Sequence, residues 1–351
     1  MKAWRLQRLG GELRFSDVRT PEPRPGSALV RIEASALMSY LKAYVEGKLP
    51  VYHPPPGPFT IGTNGVGVVE AVGRDVWHLK PGQRVVLSSH FVAAENVEDP
   101  AQILIGLTSS PDAAQVLADW PDGTLAEYAL LPVAALTPAE GLEEFDSTEL
   151  VTIGRFIIPF GGLLRGRMAA GETLVVNAAT GAYGTAAVLL GVAMGAAQVI
   201  AARRQQGPLE AVARAAGPRV STVTLTGDVQ KDASALRQAA GGGAHMAFDM
   251  VGQARDPKAT LAALHSLRRG GRLVLMGSMT TDLPVPYTTL MQNNWEIIGQ
   301  FMYPAGAYRR LLDLLRSGLL DISAIPRACI RSRPCRRPWK PRRAPVTSNA
   351  S

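Results

Sequence analysis

TLVVNAATGAYG, residues 173–184, is the stretch of sequence that decides the fold of this chain. Its first five residues are largely apolar or β-branched and predict a buried strand, and residues 185–195 predict a helix that is apolar on nearly every face. A buried strand that enters a buried helix through a glycine turn is typical of a doubly wound sheet. Further strands, predicted over 198–202, 220–225, 247–250 and 272–276, alternate with helical segments. The pattern indicates an α/β fold with a parallel sheet.

The turn inside this stretch, ATGAYG at 179–184, is a degenerate form of the dinucleotide-binding fingerprint. Gly181 has no side chain to keep the backbone away from a pyrophosphate, and Gly184 lets the helix pack closely on the strand. The N-terminus of the helix offers free N–H groups and a positive dipole to the phosphates. The predicted cofactor-binding residues of the loop are Ala179, Gly181, Ala182, Tyr183 and Gly184. A tight turn without a ligand is the alternative.

Two arginines follow the next predicted strand. Arg203 lies nineteen residues after Gly184, where NAD-binding versions of the motif carry an acid for the ribose hydroxyls. A guanidinium at this position can hold a 2′-phosphate through two parallel hydrogen bonds, and one such contact favours NADPH by about tenfold to a hundredfold. Arg203 and Arg204 therefore predict NADPH as the cofactor. Two solvated arginines at a strand end are the alternative.

The N-terminal part of the chain has a different rhythm. Residues 1–90 contain short strand patterns separated by turn signals, with strands predicted over 28–34, 64–73 and 84–87. Glycines interrupt the second of these strands and indicate bulges or close backbone approach. Residues 91–126 are predicted to be a loop-rich insertion. This region is therefore expected to form a β-rich, barrel-like module.

The formal net charge of +8 is confined to the end of the chain. Residues 326–351 carry seven Arg and one Lys without an acid, which leaves 29 basic and 29 acidic residues over 1–325. The equal numbers of basic and acidic residues over 1–325 argue against a broad phosphate-binding surface, so no nucleic-acid partner is predicted. Cys329 and Cys335 also lie in this tail, which excludes a disulfide framework and a cysteine-based metal site from residues 1–325.

The tail, residues 326–351, contains five prolines among its arginines and lacks apolar periodicity, so we expect it to be disordered. GC-rich DNA read out of frame has this composition, and we favour a frameshift over a native basic tail that binds acidic partners. The N-terminus lacks the apolar run of a signal peptide, and the longest apolar stretch, residues 186–197, is too short to cross a bilayer. We therefore expect a cytoplasmic protein without a membrane partner.

Two blocks rich in glycine and valine lie in the N-terminal module, GTNGVGVVEAVG at 62–73 and LKPGQRV at 79–85. Together with the glycine turn, they make the chain resemble the medium-chain dehydrogenase/reductase superfamily over residues 1 to about 325. The resemblance implies a small-molecule substrate. It also implies a homodimer that forms through the sheet edge near residues 295–300.

The same resemblance divides the chain into domains. It implies a GroES-like catalytic domain over 1–152 that residues 304–325 complete, and a Rossmann cofactor-binding domain over 153–303. A helix predicted over 311–320 and a strand that begins at 321–325 would return the chain to the catalytic domain.

The chain departs from the zinc-dependent members of this superfamily. Their histidine ligand corresponds to Thr63, the acid that follows it to Asn64, and their first cysteine ligand to Met38. Zinc needs deprotonated sulfur, imidazole or carboxylate ligands, and a hydroxyl, an amide and a thioether do not replace them. We therefore predict that no metal binds. The Gly-Thr pair at 62–63 is similar to the zinc-free branch of quinone oxidoreductases and enone reductases.

Without a metal there is no strong Lewis acid for an alkoxide, whereas a conjugated acceptor needs only hydrogen-bond donors for its enolate oxygen. The resemblance places Ser39, Tyr40 and Asn64 on segments that line the cleft of the family, and they are the predicted catalytic residues. Tyr40 can donate a proton and Asn64 an amide N–H. In the alternative, Tyr40 packs in the core and Asn64 caps a turn.

Two further strand ends resemble cofactor-binding positions of the family. Asp249 is predicted to lie near the cofactor or else to cap a helix, and Gly277 and Ser278 are predicted to lie on the nicotinamide side. The leading function is an NADPH-dependent reductase of an enone or a quinone. A metal-free alcohol dehydrogenase or carbonyl reductase and a non-catalytic, crystallin-like protein that binds NADPH or RNA are the alternatives.

Overall fold

A computed structural model of the chain describes residues 1–325 and Ile330. The tail predicted to be disordered lies outside the described residues, apart from Ile330. The strands are β1 (Lys2–Leu6), β2 (Leu13–Asp17), β3 (Ser27–Ser35), β4 (Phe59–Thr60), β5 (Gly65–Val72), β6 (Arg84–Leu87), β7 (His90–Val92), β8 (Gln102–Leu104), β9 (Thr108–Ser109), β10 (Tyr128–Pro132), β11 (Leu136–Pro138), β12 (Thr173–Asn177), β13 (Gln198–Arg203), β14 (Val220–Thr224), β15 (Ala244–Asp249), β16 (Leu267–Leu275) and β17 (Glu296–Gly299). The α-helices are α1 (Leu41–Val45), α2 (Ala114–Asp119), α3 (Ser147–Leu150), α4 (Ile157–Arg165), α5 (Ala182–Ala193), α6 (Gln206–Ala216), α7 (Val229–Ala239), α8 (Lys258–His265), α9 (Tyr287–Asn293) and α10 (Ala307–Arg316).

The C-terminal part of the chain forms a six-stranded sheet in the order β14-β13-β12-β15-β16-β17. All neighbouring strands in it are parallel. Numbered along the chain, this is the order 3-2-1-4-5-6, in which the chain turns from one half of the sheet to the other between β12 and β15. The predicted doubly wound sheet is confirmed, and ligands bind such sheets at the carboxyl ends of the strands beside this switch point.

The N-terminal part forms an antiparallel five-stranded sheet in the order β10-β3-β5-β6-β11. Its central pair, β3 and β5, contains two register shifts. A Cβ atom at Gly67 would lie 2.4 Å from the carbonyl oxygen of Arg31 on β3. The glycines of the second predicted strand therefore allow close backbone approach, as their pattern predicted.

Helix α4 packs between the two parts of the molecule. A Cβ atom at Gly161 would lie 2.3 Å from the carbonyl oxygen of Met302, and one at Gly162 would lie 2.5 Å from the ring of Phe248. These two glycines let the helix touch β15 on one side and the returning segment before α10 on the other. One continuous apolar core results, which joins the two sheets.

The loop-rich insertion predicted at 91–126 contains, in addition, β8 and β9, which form a small antiparallel sheet with β7, and the helix α2. Two predictions about local structure were wrong. The last helix spans Ala307–Arg316, not 311–320, because Gly318 adopts a φ of +70° that ends the helical pattern. Residues 321–325 form turns instead of a strand, and Asp321 accepts a 2.8 Å hydrogen bond from the backbone N–H of Ser323.

The helical run Ser147–Arg165 has the length and hydropathy of a membrane span, but 61% of its most apolar stretch is buried inside the fold. Phe156, Ile157 and Leu163 in this run are completely buried. Such burial is typical of a helix in the core of a fold.

Candidate active site

The loop between β12 and α5 is a tight turn that connects the strand directly to the helix. Ala178 adopts a φ of +55°, and Gly181 is the N-cap of α5. A Cβ atom at Gly184 would lie 2.1 Å from the carbonyl oxygen of Ala178, so only glycine fits at this close contact of helix and strand. The first backbone N–H groups of α5, those of Ala182 and Tyr183, have no acceptor within the helix. The loop fits the pyrophosphate of a dinucleotide, and these residues would hold it.

The two predicted arginines border this loop. Arg203 is the last residue of β13, and its Nη1 donates a hydrogen bond to the hydroxyl of Thr180. Arg204 is exposed, and its Nη2 lies 3.7 Å from Oδ2 of Asp256. The structure therefore places the guanidinium of Arg203 at the pyrophosphate loop, whereas that of Arg204 faces Asp256. The preference for NADPH over NADH stays a prediction.

The ends of β15 and β16 lie at the same edge of the sheet. Asp249 is 2% exposed, and its Oδ2 accepts a 2.8 Å hydrogen bond from the hydroxyl of Thr260 in α8. Burial raises the pKa of this carboxyl group. The carboxyl does not cap α8, whose N-cap is Pro257, and it accepts instead from the Thr260 side chain and from the backbone N–H of Val251. A position near the cofactor stays a prediction. A Cβ atom at Gly277 would lie 2.3 Å from the carbonyl oxygen of Val251, to which the backbone N–H of Ser278 donates at 3.0 Å.

A group of tyrosines connects the cofactor loop to the N-terminal part of the chain. The rings of Tyr40 and Tyr52 are 5.9 Å apart, and Tyr44 meets Tyr52 edge-on at 5.5 Å. Burial, followed by the neighbouring phenols of Tyr52 and Tyr183, raises the pKa of Tyr40. Tyr40 therefore keeps its proton near neutral pH and is a hydrogen-bond donor. Because Tyr183 starts α5, this group places a predicted catalytic side chain beside the cofactor loop.

Asn64 lies in a second polar group. The hydroxyl of Tyr308 donates a 3.0 Å hydrogen bond to Oδ1 of Asn64, and the backbone N–H of Ser89 approaches the same oxygen at 3.4 Å. Nδ2 of Asn64 donates no hydrogen bond to the described residues, and the Asn64 side chain packs against Gly154, where a Cβ atom would lie 2.9 Å from Cβ and 3.1 Å from Nδ2 of Asn64. The amide N–H₂ of Asn64 therefore has no acceptor among the described residues.

The tyrosine beneath Asn64 extends this group. The ring of Tyr303 meets that of Tyr308 edge-on at 5.6 Å, and its hydroxyl lies 2.7 Å from Oγ of Ser88. Burial raises the pKa of both phenols, so both remain protonated. Tyr183 contributes to the raised pKa of each, and therefore the cofactor loop lies near this group as well.

The structure brings Tyr40 and Asn64 to the surroundings of Tyr183 but does not add Ser39 to them. Ser39 is exposed and makes no hydrogen bond with the described residues. Tyr308 is a candidate site residue that the sequence analysis missed. The sequence does contain a signal for Tyr308. Apolar residues recur at helical spacing in the last helix, and Tyr308 places a hydroxyl group on the face that they bury.

The residues at the family's zinc position do not fit zinc. Thr63 is buried, and its carbonyl oxygen accepts a 3.4 Å hydrogen bond from the hydroxyl of Thr124. Met38 packs against the apolar core. Within residues 1–325 and Ile330, no group of three His, Cys, Asp or Glu side chains is placed to hold a metal ion. His90, the most buried histidine, has Nε2 3.1 Å from Oε1 of Gln102, and burial lowers its pKa.

Comparison with known families assigns both parts of the chain. Residues 24–141 match the family described as alcohol dehydrogenase GroES-like domain, and residues 182–317 match zinc-binding dehydrogenase. The chain belongs to the medium-chain dehydrogenase/reductase superfamily. This membership supports an oxidoreductase that uses a nicotinamide cofactor.

Individual relatives match this chain over most of their length. An alcohol dehydrogenase of a Moraxella species is 29% identical over 320 residues, which cover 91% of this chain and 89% of the relative. An alcohol dehydrogenase of Cupriavidus necator is 27% identical over 335 residues, with 90% and 88% covered. The crystal structure of AibC is similar at a TM-score of 0.75 and 22% identity, covering 91% of this chain and 86% of AibC, and it supports the fold.

Proposed function

We propose that this protein is a zinc-independent, NADPH-dependent oxidoreductase that transfers hydride to the activated C=C bond of an enone or to a quinone. The observation that carries the proposal is the Asn64 amide. Tyr308 and Ser89 both direct N–H or O–H donors at its Oδ1, so its Nδ2 stays free as a donor where zinc-dependent relatives carry an acid. An uncharged donor suits a developing enolate oxygen, which a carboxylate would repel.

The residues around the cofactor loop supply the other requirements of this chemistry. NADPH, when bound, supplies the hydride. Tyr40 retains its proton near neutral pH and is a second donor for an oxyanion. The phenol of Tyr183, at the start of α5, adds to the raised pKa of Tyr40. Arg203 and Arg204 would hold the 2′-phosphate.

A conjugated acceptor is favoured because the chain offers only neutral donors at this position. Addition of hydride to the β-carbon of an enone leaves an enolate, whose charge is delocalised, whereas reduction of an isolated carbonyl leaves a localised alkoxide. Oxidation of NADPH with 2-cyclohexen-1-one, but not with cyclohexanone, is the expected result. Turnover of both ketones at similar rates would contradict the preference for a conjugated acceptor.

A metal-free alcohol dehydrogenase or carbonyl reductase is the second candidate, because similar proteins carry the name alcohol dehydrogenase. It predicts NADP⁺ reduction with cyclohexanol and NADPH oxidation with cyclohexanone. Binding of NADPH without turnover of any of these compounds would favour the non-catalytic alternative.

We further propose a cytoplasmic homodimer that pairs through β17. This strand is the last of the six-stranded sheet, and Phe301 just beyond it is 57% exposed. Light scattering should report a dimer for the parent chain and a monomer for Phe301→Glu. The matched control is Trp77→Glu, because Trp77 is a large aromatic that is 84% exposed at a different surface.

A further inference from the structure

A basic pocket lies at the end of the six-stranded sheet opposite the cofactor loop. It has a volume of about 450 Å³ and is lined by Arg237, glycines 241–243, His245, Arg268 and Arg269. The glycines adopt φ values of +64°, +115° and +140°, and side chains at 241 and 242 would meet nothing within 4 Å. The missing side chains therefore leave the pocket open.

None of the three arginines in the basic pocket pairs with a carboxylate of the described residues. Arg237 donates to the carbonyl oxygens of Leu267 and Gly242 and is thereby fixed at the end of α7. Arg268 and Arg269 are exposed and have no acidic partner. The pocket therefore concentrates positive charge in a part of the chain whose basic and acidic residues otherwise balance.

The carboxylate that raises the pKa of His245 is that of Glu172, and it is already paired with Arg272. Glu172 lies with its Oε2 2.5 Å from Nη2 of Arg272, and the side chains are 18% and 10% exposed. The pair is outside the lining of the basic pocket. Glu172 therefore offers little compensation to the arginines of the pocket.

His245 and Arg268 direct hydrogen-bond donors toward one another. The backbone N–H of Thr173 donates to Nδ1 of His245 at 3.1 Å, so the proton of the neutral ring is on Nε2. Nη1 of Arg268 lies 2.7 Å from that Nε2. In the neutral ring that keeps the Thr173 bond, two N–H donors thus converge without an acceptor. An anion at this point would accept from both.

We propose that the basic pocket binds a phosphoryl group, either of an inorganic phosphate or of a phosphate ester. Its oxygens accept hydrogen bonds from Nε2 of His245 and from the guanidinium of Arg268, and Arg269 adds charge at the rim. Guanidinium groups match the geometry of phosphate oxygens with paired N–H donors. The site is separate from the cofactor loop and does not depend on the proposed reaction.

Isothermal titration with inorganic pyrophosphate tests this proposal. Because one charge-assisted hydrogen bond contributes roughly 1.5–3 kcal/mol, Arg268→Gln should weaken pyrophosphate binding by about tenfold or more. Arg214→Gln is the matched control, since it removes the same charge from an exposed position on α6 outside the pocket. The control should bind pyrophosphate within about twofold of the parent chain.

The variant Arg203→Ala tests whether pyrophosphate binds at the cofactor loop instead of the basic pocket. If pyrophosphate occupies the cofactor loop, Arg203→Ala weakens it while Arg268→Gln does not, and the proposal is wrong. The same titrations with ribose 5-phosphate distinguish a phosphate ester from an inorganic phosphate as the ligand. Dependence on Arg268 for both ligands assigns the site to the phosphoryl group, whereas dependence for neither contradicts it.

A spectroscopic readout distinguishes direct contact from a structural effect of the substitutions. Burial, followed by the charge of Arg268, lowers the pKa of His245, while Glu172 raises it and Arg272 lowers it. An anion between His245 and Arg268 favours the protonated ring. Saturation of the parent chain with pyrophosphate should therefore raise the pKa of His245 in an NMR titration. An unchanged His245 titration would contradict the proposal.

Discussion

The phenol hydroxyl of Tyr308 donates a 3.0 Å hydrogen bond to Oδ1 of Asn64, and 244 positions of sequence separate the two residues. Because a phenol O–H and the backbone N–H of Ser89 both face this atom, it is the amide oxygen, and the amide nitrogen points away from them. The last helix thus determines which edge of Asn64 is free. A residue of the returning segment sets the chemistry of a residue in the N-terminal sheet region.

Tyr308→Phe removes this hydrogen bond and leaves the ring in place. The buried bond contributes about 0.5–1.5 kcal/mol, so we expect up to about a tenfold loss in kcat for 2-cyclohexen-1-one as the Asn64 amide loses its orientation. Tyr44→Phe is the control, because its buried hydroxyl bonds the carbonyl oxygen of Leu107 instead. Steady-state kinetics and melting temperatures of both variants make the comparison. Equal losses of kcat in both would show that Tyr308 has no special effect on Asn64.

Asn64→Asp replaces the free N–H₂ with an oxygen of similar shape. Loss of one donor to an oxyanion costs about a hundredfold to a thousandfold in kcat, and the negative charge opposes the enolate further. We therefore expect kcat to fall by at least about a hundredfold, with the KM for NADPH little changed. An Asn64→Asp variant that retains the kcat of the parent chain would remove Asn64 from the proposed mechanism.

Arg203→Ala should weaken NADPH binding by about tenfold to a hundredfold and leave NADH binding nearly unchanged. The reason is that only NADPH carries a 2′-phosphate for the guanidinium. Fluorescence titration with each cofactor measures both constants, and Arg214→Ala serves as the exposed control. Equal losses for NADPH and NADH would mean that Arg203 does not contact the 2′-phosphate.

The buried pair of Glu172 and Arg272 predicts a pH dependence of stability. Burial alone would raise the pKa of Glu172, but the Arg272 guanidinium and the backbone N–H of Ala169 hold it below the ordinary value of 4.5. A carboxyl whose folded pKa is lowered stabilises the fold above its unfolded pKa, and this stabilisation is lost as the pH falls through the folded pKa.

Glu172→Gln should accordingly melt at a lower temperature than the parent chain at pH 7, because it leaves Arg272 buried without its partner. The difference should narrow as the pH falls below 4.5, the ordinary value for this group. Glu22→Gln, which removes an exposed pair with Arg19, should change the melting temperature little at any pH. A difference for Glu172→Gln that is constant from pH 7 to pH 4 would contradict a lowered folded pKa.

Local patterns were sufficient to predict the elements that lie within one stretch of sequence. The bounds predicted for β12 and β6 agree with the structure because an apolar run with a turn on each side specifies a strand locally. The last helix was misplaced although Tyr308, Leu311, Leu312 and Leu315 bury one helical face. The helical spacing of these residues is visible in the sequence. The predicted helix was placed too far along the chain because Leu319 and Leu320, which follow Gly318, were included in it.

The candidate site could be predicted only in part, because its contacts connect distant positions. The sequence predicted the glycine loop and the proposed substitution of the zinc ligands. The contact of Tyr308 with Asn64 depends on how α4 brings the returning segment against the N-terminal sheet, and no short-range pattern encodes that approach. The orientation of Asp249 likewise depends on Thr260, which follows on the next helix.

The measurement that tests the central claim most directly is the metal content of active protein. Elemental analysis and NADPH oxidation with 2-cyclohexen-1-one should be carried out on the same preparation, before and after prolonged dialysis against a chelator. We expect substoichiometric zinc in both samples and the same turnover, because Met38, Thr63 and Asn64 provide no ligand set. One zinc per chain, or turnover that the chelator abolishes and added zinc restores, would contradict metal-independent hydride transfer.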